Sequence, residues 1–271
     1  MNGEPTSSQD PWALVLGASS GFGAATSFAL AKAGFHIVGV HLDRRATLQG
    51  ADEVAANVRS VHRHAWMFNT NAADESKRNE VLDEVTKRWS RFDRIPKFTV
   101  LFHSLAFGAL LPHLSDDPQN RLSLRQIEMT SLVMAHSLVL WTQALIEREM
   151  MVEGGRIYAM TSTGANTVWK GYGAVSAAKT ALEAHVRQLA VELAPLRITV
   201  NALCAGVTDT PALKKIPDHE RMIEIALRKN PHGRLTQPQD VAKAVVALCV
   251  PETYWITGNV IHIDGGEFIV G

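Results

Sequence analysis

Short, continuously apolar runs alternate with longer stretches of helical periodicity along nearly the whole chain, and this alternation limits the fold more than any other feature. The runs Ala13–Leu16, Phe35–His41, His64–Phe68, Thr99–His103, Arg156–Met160, Ile198–Leu203 and Val260–Ile263 predict strands. Phe22–Ala33, Asp52–Ser60, Glu75–Trp89, Ser123–Met151, Tyr172–Leu193 and Pro238–Cys249 predict the helices between them. A strand that is apolar at every position is buried on both faces, which calls for a parallel sheet covered by helices. The expected fold class is α/β: one doubly wound domain over residues 11–271, with a parallel sheet and helices on both faces. Residues 1–10 are expected to form a flexible N-terminus, and 211–230 an insertion rather than a second domain.

Composition narrows the function. Lys+Arg and Asp+Glu both number 27, so the chain lacks the basic excess of a nucleic-acid binder. Two cysteines, Cys204 and Cys249, cannot form a disulfide framework, and a reduced cytoplasmic setting is expected. The polar start has no basic n-region or apolar h-region, so secretion is not expected, and no apolar run reaches the ~18 residues of a membrane span, so no membrane partner is expected. The histidines show no zinc-site spacing, and no metal is expected.

The stretch Leu14-Val15-Leu16-Gly17-Ala18-Ser19-Ser20-Gly21-Phe22-Gly23 joins the first strand to the first helix. Glycines at 17, 21 and 23 allow a sharp turn and close approach of a pyrophosphate, which the N–H groups and dipole of the helix start favour. The second strand ends in His41-Leu42-Asp43-Arg44-Arg45, where an adenosine ribose would lie. An acid there would take both ribose hydroxyls of NADH, and an arginine would pair with the 2′-phosphate of NADPH. His41 in the first slot and the two arginines lean towards NADPH. Asp43 turned inward would favour NADH.

From about Pro11 to Gly266 the chain resembles the short-chain dehydrogenase/reductase superfamily, in Gly17-x3-Gly21-x-Gly23, Asn201-Ala202 and Ile263-Asp264-Gly265-Gly266. It departs from the usual Tyr-x3-Lys pair: Val175 stands four residues before Lys179, and Tyr172 stands seven before it. This Tyr-x6-Lys spacing, with Leu101-Phe102-His103-Ser104-Leu105-Ala106-Phe107, Ala205-Gly206 and Asp209–Pro217, is similar to the enoyl acyl-carrier-protein reductases. The resemblance implies a Rossmann-type fold, a likeness to homotetramers and catalytic residues Tyr172, Lys179 and Ser162. It implies cofactor contacts from Gly17, Ser19, Ser20, Gly21, Phe22 and Gly23, then from His41, Arg44, Asn71 and Ala72. Ser104, Leu105, Ala106, Lys179, Thr208 and Thr210 complete that set. Phe107, Trp169, Leu213 and Ile216 are the implied acyl-substrate contacts, with 211–230 over the substrate mouth and an acyl-carrier protein as a possible partner. The helix asparagine that holds a water in many relatives is absent, and Thr130 or Ser131 stands there instead.

The shifted tyrosine has a physical reading. Seven residues rotate about 700°, so Tyr172 and Lys179 share a helix face, and three residues displace the tyrosine by about 4.5 Å along the axis. A ketone reductase delivers hydride to the carbonyl carbon itself. An enoyl thioester accepts it at Cβ, with the carbonyl oxygen three bonds away, so the stabilising acid must stand further off. Lys179 is expected to hold the nicotinamide ribose and to lower the tyrosine pKa by its charge. The leading expectation is enoyl-thioester reduction in fatty-acid synthesis. A carbonyl reductase and a catalytically silent cofactor-binding protein are the alternatives. Oligomerisation is expected from apolar residues in excess of one sheet face, with Leu132, Met134, Leu138, Trp141 and Leu145 on a second buried face.

Overall fold

The computed structural model describes residues 10–271, so the expected N-terminal segment lies almost wholly outside the described residues. Seven parallel strands run in the order β3-β2-β1-β4-β5-β6-β7. They are β1 (Trp12–Leu16), β2 (His36–His41), β3 (Ala65–Asn69), β4 (Phe98–His103), β5 (Met151–Ser162), β6 (Thr199–Ala205) and β7 (Val260–Ile263). The helices are α1 (Gly21–Lys32), α2 (Leu48–Ser60), α3 (Glu75–Trp89), α4 (Leu124–Ser131), α5 (Ser137–Glu147), α6 (Gly173–Glu192), α7 (His219–Lys229) and α8 (Pro238–Ala247).

Strand alternation splits the core in two. Trp12, Leu14 and Leu16 of β1 pack with Val81 and Val85 of α3, Leu138 and Trp141 of α5, and Leu182 and Val186 of α6. Ala13 and Val15 face the other way, against Leu30 of α1, Val54 and Val58 of α2, and Val241 and Val245 of α8. Both faces are therefore covered, which is why the strands read as unbroken apolar runs. From β1 the chain builds outward through β2 and β3, then returns to place β4 on the opposite side of β1. The carboxyl ends of β1 and β4 thus border the crevice where open α/β sheets bind ligands.

Three expectations need correction. The helix expected over Ser123–Met151 is divided by a π-helical turn at Leu132–His136 and stops at Glu147. Met150 and Met151 continue its apolar periodicity, but Met151 pairs with Phe98 and opens β5 instead. Met134, Leu138, Trp141 and Leu145 are buried in this chain's own core, so of the five residues assigned to a second face only Leu132 is exposed. Finally, residues 118–147 form one helical stretch long and apolar enough to cross a membrane by length and composition, contrary to the count of apolar runs. Half of its most apolar window is buried within the fold, and Met134, Leu138, Trp141 and Leu145 are among the buried residues.

Candidate active site

A cavity of about 500 Å³ opens at the carboxyl ends of β1, β4, β5 and β6. Tyr172, Lys179 and Ser162 all line it. Tyr172 caps the start of α6, and Lys179 lies two turns along the helix. Val175, in the slot between them, is buried and also borders the cavity. The Tyr172 ring lies so close to Gly164 that a Cβ there would collide with ring carbon Cε1. Ser162 ends β5, its hydroxyl accepting from the Gly164 N–H at 3.0 Å and hydrogen-bonding the Tyr172 phenol.

Burial raises the Tyr172 pKa above its ordinary value, and the Ser162 bond opposes that rise. The phenol is therefore a proton donor at neutral pH. Lys179 is not among the groups that act on it, contrary to expectation. Its Nζ instead donates to the Met160 carbonyl at 2.7 Å, and burial brings its pKa down to about 8.

The glycine loop fits a pyrophosphate. Gly17 continues β1 by donating to the Val40 carbonyl at 2.8 Å, then turns at φ +85°. A Cβ at Gly17 would strike the Ser104 carbonyl oxygen, and one at Gly23 would strike the Gly17 carbonyl oxygen. Ser20 is the N-cap of α1 but makes no side-chain cap bond, so the first-turn N–H groups gain no side-chain acceptor from it. Ser19 and Gly21 complete this turn, Gly21 packing beside Thr210. Phe22, Ser104, Leu105, Ala106, Thr208 and Thr210 reach the cavity itself. These residues suit a dinucleotide, its phosphates at the start of α1 and its reactive ring towards Tyr172.

The adenosine end is only partly as expected. His41 is the buried last residue of β2, and its Nδ1 bonds Asp43 Oδ2 at 2.8 Å. Asp43 does turn inward: its carboxylate also meets the Ser19 and Thr47 hydroxyls, and these bonds hold its pKa below the usual range. Arg44 and Arg45 are exposed and form no ion pair among the described residues. Asn71 is exposed, its Oδ1 accepting from the Ala73 N–H. Ala72 turns into the core, where its carbonyl accepts from Trp141 Nε1 at 2.8 Å.

Phe107, Trp169, Leu213 and Ile216 all border the cavity. Trp169 does more than supply an apolar wall: its Nε1–H donates to the Pro217 carbonyl at 2.8 Å, tying the loop before α6 to the 211–230 segment. Thr130 is buried on α4. Its hydroxyl donates to Gln126 O at 2.7 Å and accepts from the Ala109 N–H at 3.0 Å, anchoring the loop that carries Phe107. Sequence reading missed Thr161, Glu183 and Glu267. Glu183 had a visible signal: an acid one turn after Lys179, at a position whose helical neighbours Leu182 and Val186 are core residues.

The family model described as enoyl-(acyl carrier protein) reductase matches residues 17–267. The chain is a short-chain dehydrogenase/reductase of that family. This makes it an oxidoreductase, and the superfamily uses nicotinamide nucleotides. The short-chain dehydrogenase/reductase is 30% identical over 263 residues to a 3-oxoacyl-[acyl-carrier-protein] reductase of Aggregatibacter actinomycetemcomitans, covering 93% of this chain and 97% of that one. It is 28% identical over 200 residues to the NADH-dependent enoyl-[acyl-carrier-protein] reductase of Escherichia coli, covering 74% and 73%. An enoyl-[acyl-carrier-protein] reductase structure from Aquifex aeolicus shares the fold with a TM-score of 0.81 at 22% identity, covering 96% and 97%.

Proposed function

We propose that this oxidoreductase reduces the C=C bond of an enoyl thioester, with NADPH as the preferred reductant. The observation that carries the reading is the position of Tyr172 at the start of α6, with Val175 filling the slot nearer Lys179. The bound nicotinamide supplies hydride for Cβ. Tyr172 presents its phenolic hydrogen to the thioester carbonyl oxygen, where enolate charge develops, and Ser162 supports the phenol as that charge grows. A proton from solvent then adds at Cα of the enolate and completes the saturated thioester. Lys179 and the glycine loop hold the cofactor, while Phe107, Leu213 and Ile216 shield the acyl chain from water.

One observation favours a carbonyl reductase instead: the similarity to the 3-oxoacyl reductase extends over nearly the full length of both chains. Crotonyl and acetoacetyl thioesters, each on coenzyme A and on acyl-carrier protein, separate the two. Cofactor oxidation with crotonyl thioester and none with acetoacetyl thioester is expected. The reverse pattern overturns the enoyl reading, and the better carrier identifies the partner.

The NADPH preference rests on saturation. Asp43 already accepts from His41, Ser19 and Thr47, leaving little capacity for two ribose hydroxyls, whereas Arg44 and Arg45 form no ion pair among the described residues. Replacing both arginines by Ala is expected to raise KM for NADPH about tenfold, since a charge-assisted bond is worth about 1.5–3 kcal/mol, and to leave KM for NADH nearly unchanged. Wild-type preference for NADH would mean that Asp43 exchanges Ser19 for the ribose.

A further inference from the structure

Lys179 lies buried in the wall of the cavity, and among the described residues its ammonium has a single hydrogen-bond partner, the neutral carbonyl of Met160 at 2.7 Å. A buried cation held only by a carbonyl is costly without an opposite charge nearby. Glu183 lies one turn further along the same face of α6 and is likewise buried. It makes no direct ion pair with Lys179. Its Oε1 accepts from the Thr161 hydroxyl at 2.6 Å, and Thr161 stands on β5 between Met160, which holds Lys179, and Ser162, which holds Tyr172.

The other titratable groups around Lys179 bring no negative charge at neutral pH. From β6, opposite Thr161 in the sheet register, comes Cys204, whose thiol burial pushes up to about 12. From β4 comes His103, bonded through Nε2 to Ser137 at 2.8 Å and held neutral by burial and by the Lys179 charge, its pKa down to about 3. From the start of α6 comes Tyr172, a neutral phenol. Glu183 is the one carboxylate among the described residues that favours the charged form of Lys179.

We propose that Glu183 is a positioning residue for Lys179: its carboxylate, locked by Thr161, is the countercharge that keeps Lys179 an ammonium seated on the Met160 carbonyl. The same bond clamps α6 to β5 where those elements carry Tyr172 and Ser162. The inference rests on the reading of Lys179 as a cofactor-holding residue. A charged Lys179 is available below about pH 8 and is lost above it, so removing the countercharge must move that loss to lower pH.

The test is reduced-cofactor affinity of the full chain between pH 6 and 9, followed by cofactor fluorescence with both NADPH and NADH, alongside kcat/KM. Glu183→Gln, which keeps an acceptor for Thr161, is expected to bind within about threefold of wild type at pH 6, about fivefold more weakly at pH 8 and about tenfold more weakly at pH 9. That corresponds to a downward shift of about one pH unit in the falling limb. Glu183→Asp is expected to restore the wild-type limb. An unshifted limb, or a loss equal at every pH, overturns the proposal. Should Glu183→Gln not fold, Thr161→Val keeps the charge and removes only its clamp; a smaller shift in the same direction supports the proposal and no shift overturns it. Lys179→Met separates the two layers. Wild-type cofactor affinity in that variant defeats the reading of Lys179, whereas weak binding there with an unshifted Glu183→Gln limb defeats the countercharge alone.

Discussion

Tyr172→Phe is expected to lower kcat by about two to three orders of magnitude while cofactor affinity stays within about twofold of wild type. In the proposed reaction the phenol acts on the substrate oxygen. It serves an oxyanion that exists mainly in the transition state, so its removal falls on kcat. Phe keeps the ring that packs against Gly164, so the variant is expected to retain the wild-type Tm. The buried phenol titrates above its ordinary value, so the wild-type rate is expected to show no ionisation of Tyr172 at neutral pH. Steady-state kinetics on crotonyl thioester check both points. A variant that turns over at the wild-type rate would show that another group supplies the proton donor, Ser162 being the nearest.

Gly17→Ala is expected to abolish useful cofactor binding and to destabilise the fold at the same time. The backbone at Gly17 has φ +85°, a conformation that costs an L-residue about 1–3 kcal/mol. The added Cβ also meets the Ser104 carbonyl oxygen, which belongs to backbone and cannot rotate away. Ser104 is held in turn by its N–H bond to the Leu16 carbonyl at 2.9 Å, so relieving the collision pulls β1 and β4 apart at the crevice. Thermal unfolding should show a Tm about 5–10 °C below wild type, and titration a cofactor affinity weaker by at least about tenfold. An unchanged Tm would mean that the loop relaxes without strain, and the tight approach of Gly17 to Ser104 would then not matter to the fold.

The site was legible where chemistry is carried by spacing along one element. Tyr172 and Lys179 share a helix, so their common face follows from helical geometry, and both border the cavity. The glycine loop was legible for a similar reason, because strand, turn and helix are contiguous. His41 was not: its register position at the end of β2 is plain, but only packing decides that its ring turns to Asp43. Thr130 was likewise visible as a hydroxyl on a helix, yet its partner Ala109 comes from a distant loop. Leu138, Trp141 and Leu145 misled because their apolar excess is absorbed by β1 and α3 inside one chain, and Met134 because it packs with Val175 and Ala178 of α6.

The sequence by itself determined the layered α/β architecture, the parallel sheet and the order of its elements. Burial on both faces writes an unbroken apolar run into each central strand, and helical packing writes its own period between them. It determined the tyrosine–lysine pair and the phosphate loop, since each is a local pattern. Only the tertiary structure decided which charges meet. Glu183 reaches Thr161 across the gap between α6 and β5, Trp169 reaches Pro217 across the cavity mouth, and Asp43 gathers His41, Ser19 and Thr47 from three segments. Apart from His41 and Thr47 with Asp43, those contacts join residues far apart in the chain, and the energy of a buried polar group depends on the partner that folding brings to it, which no linear pattern records.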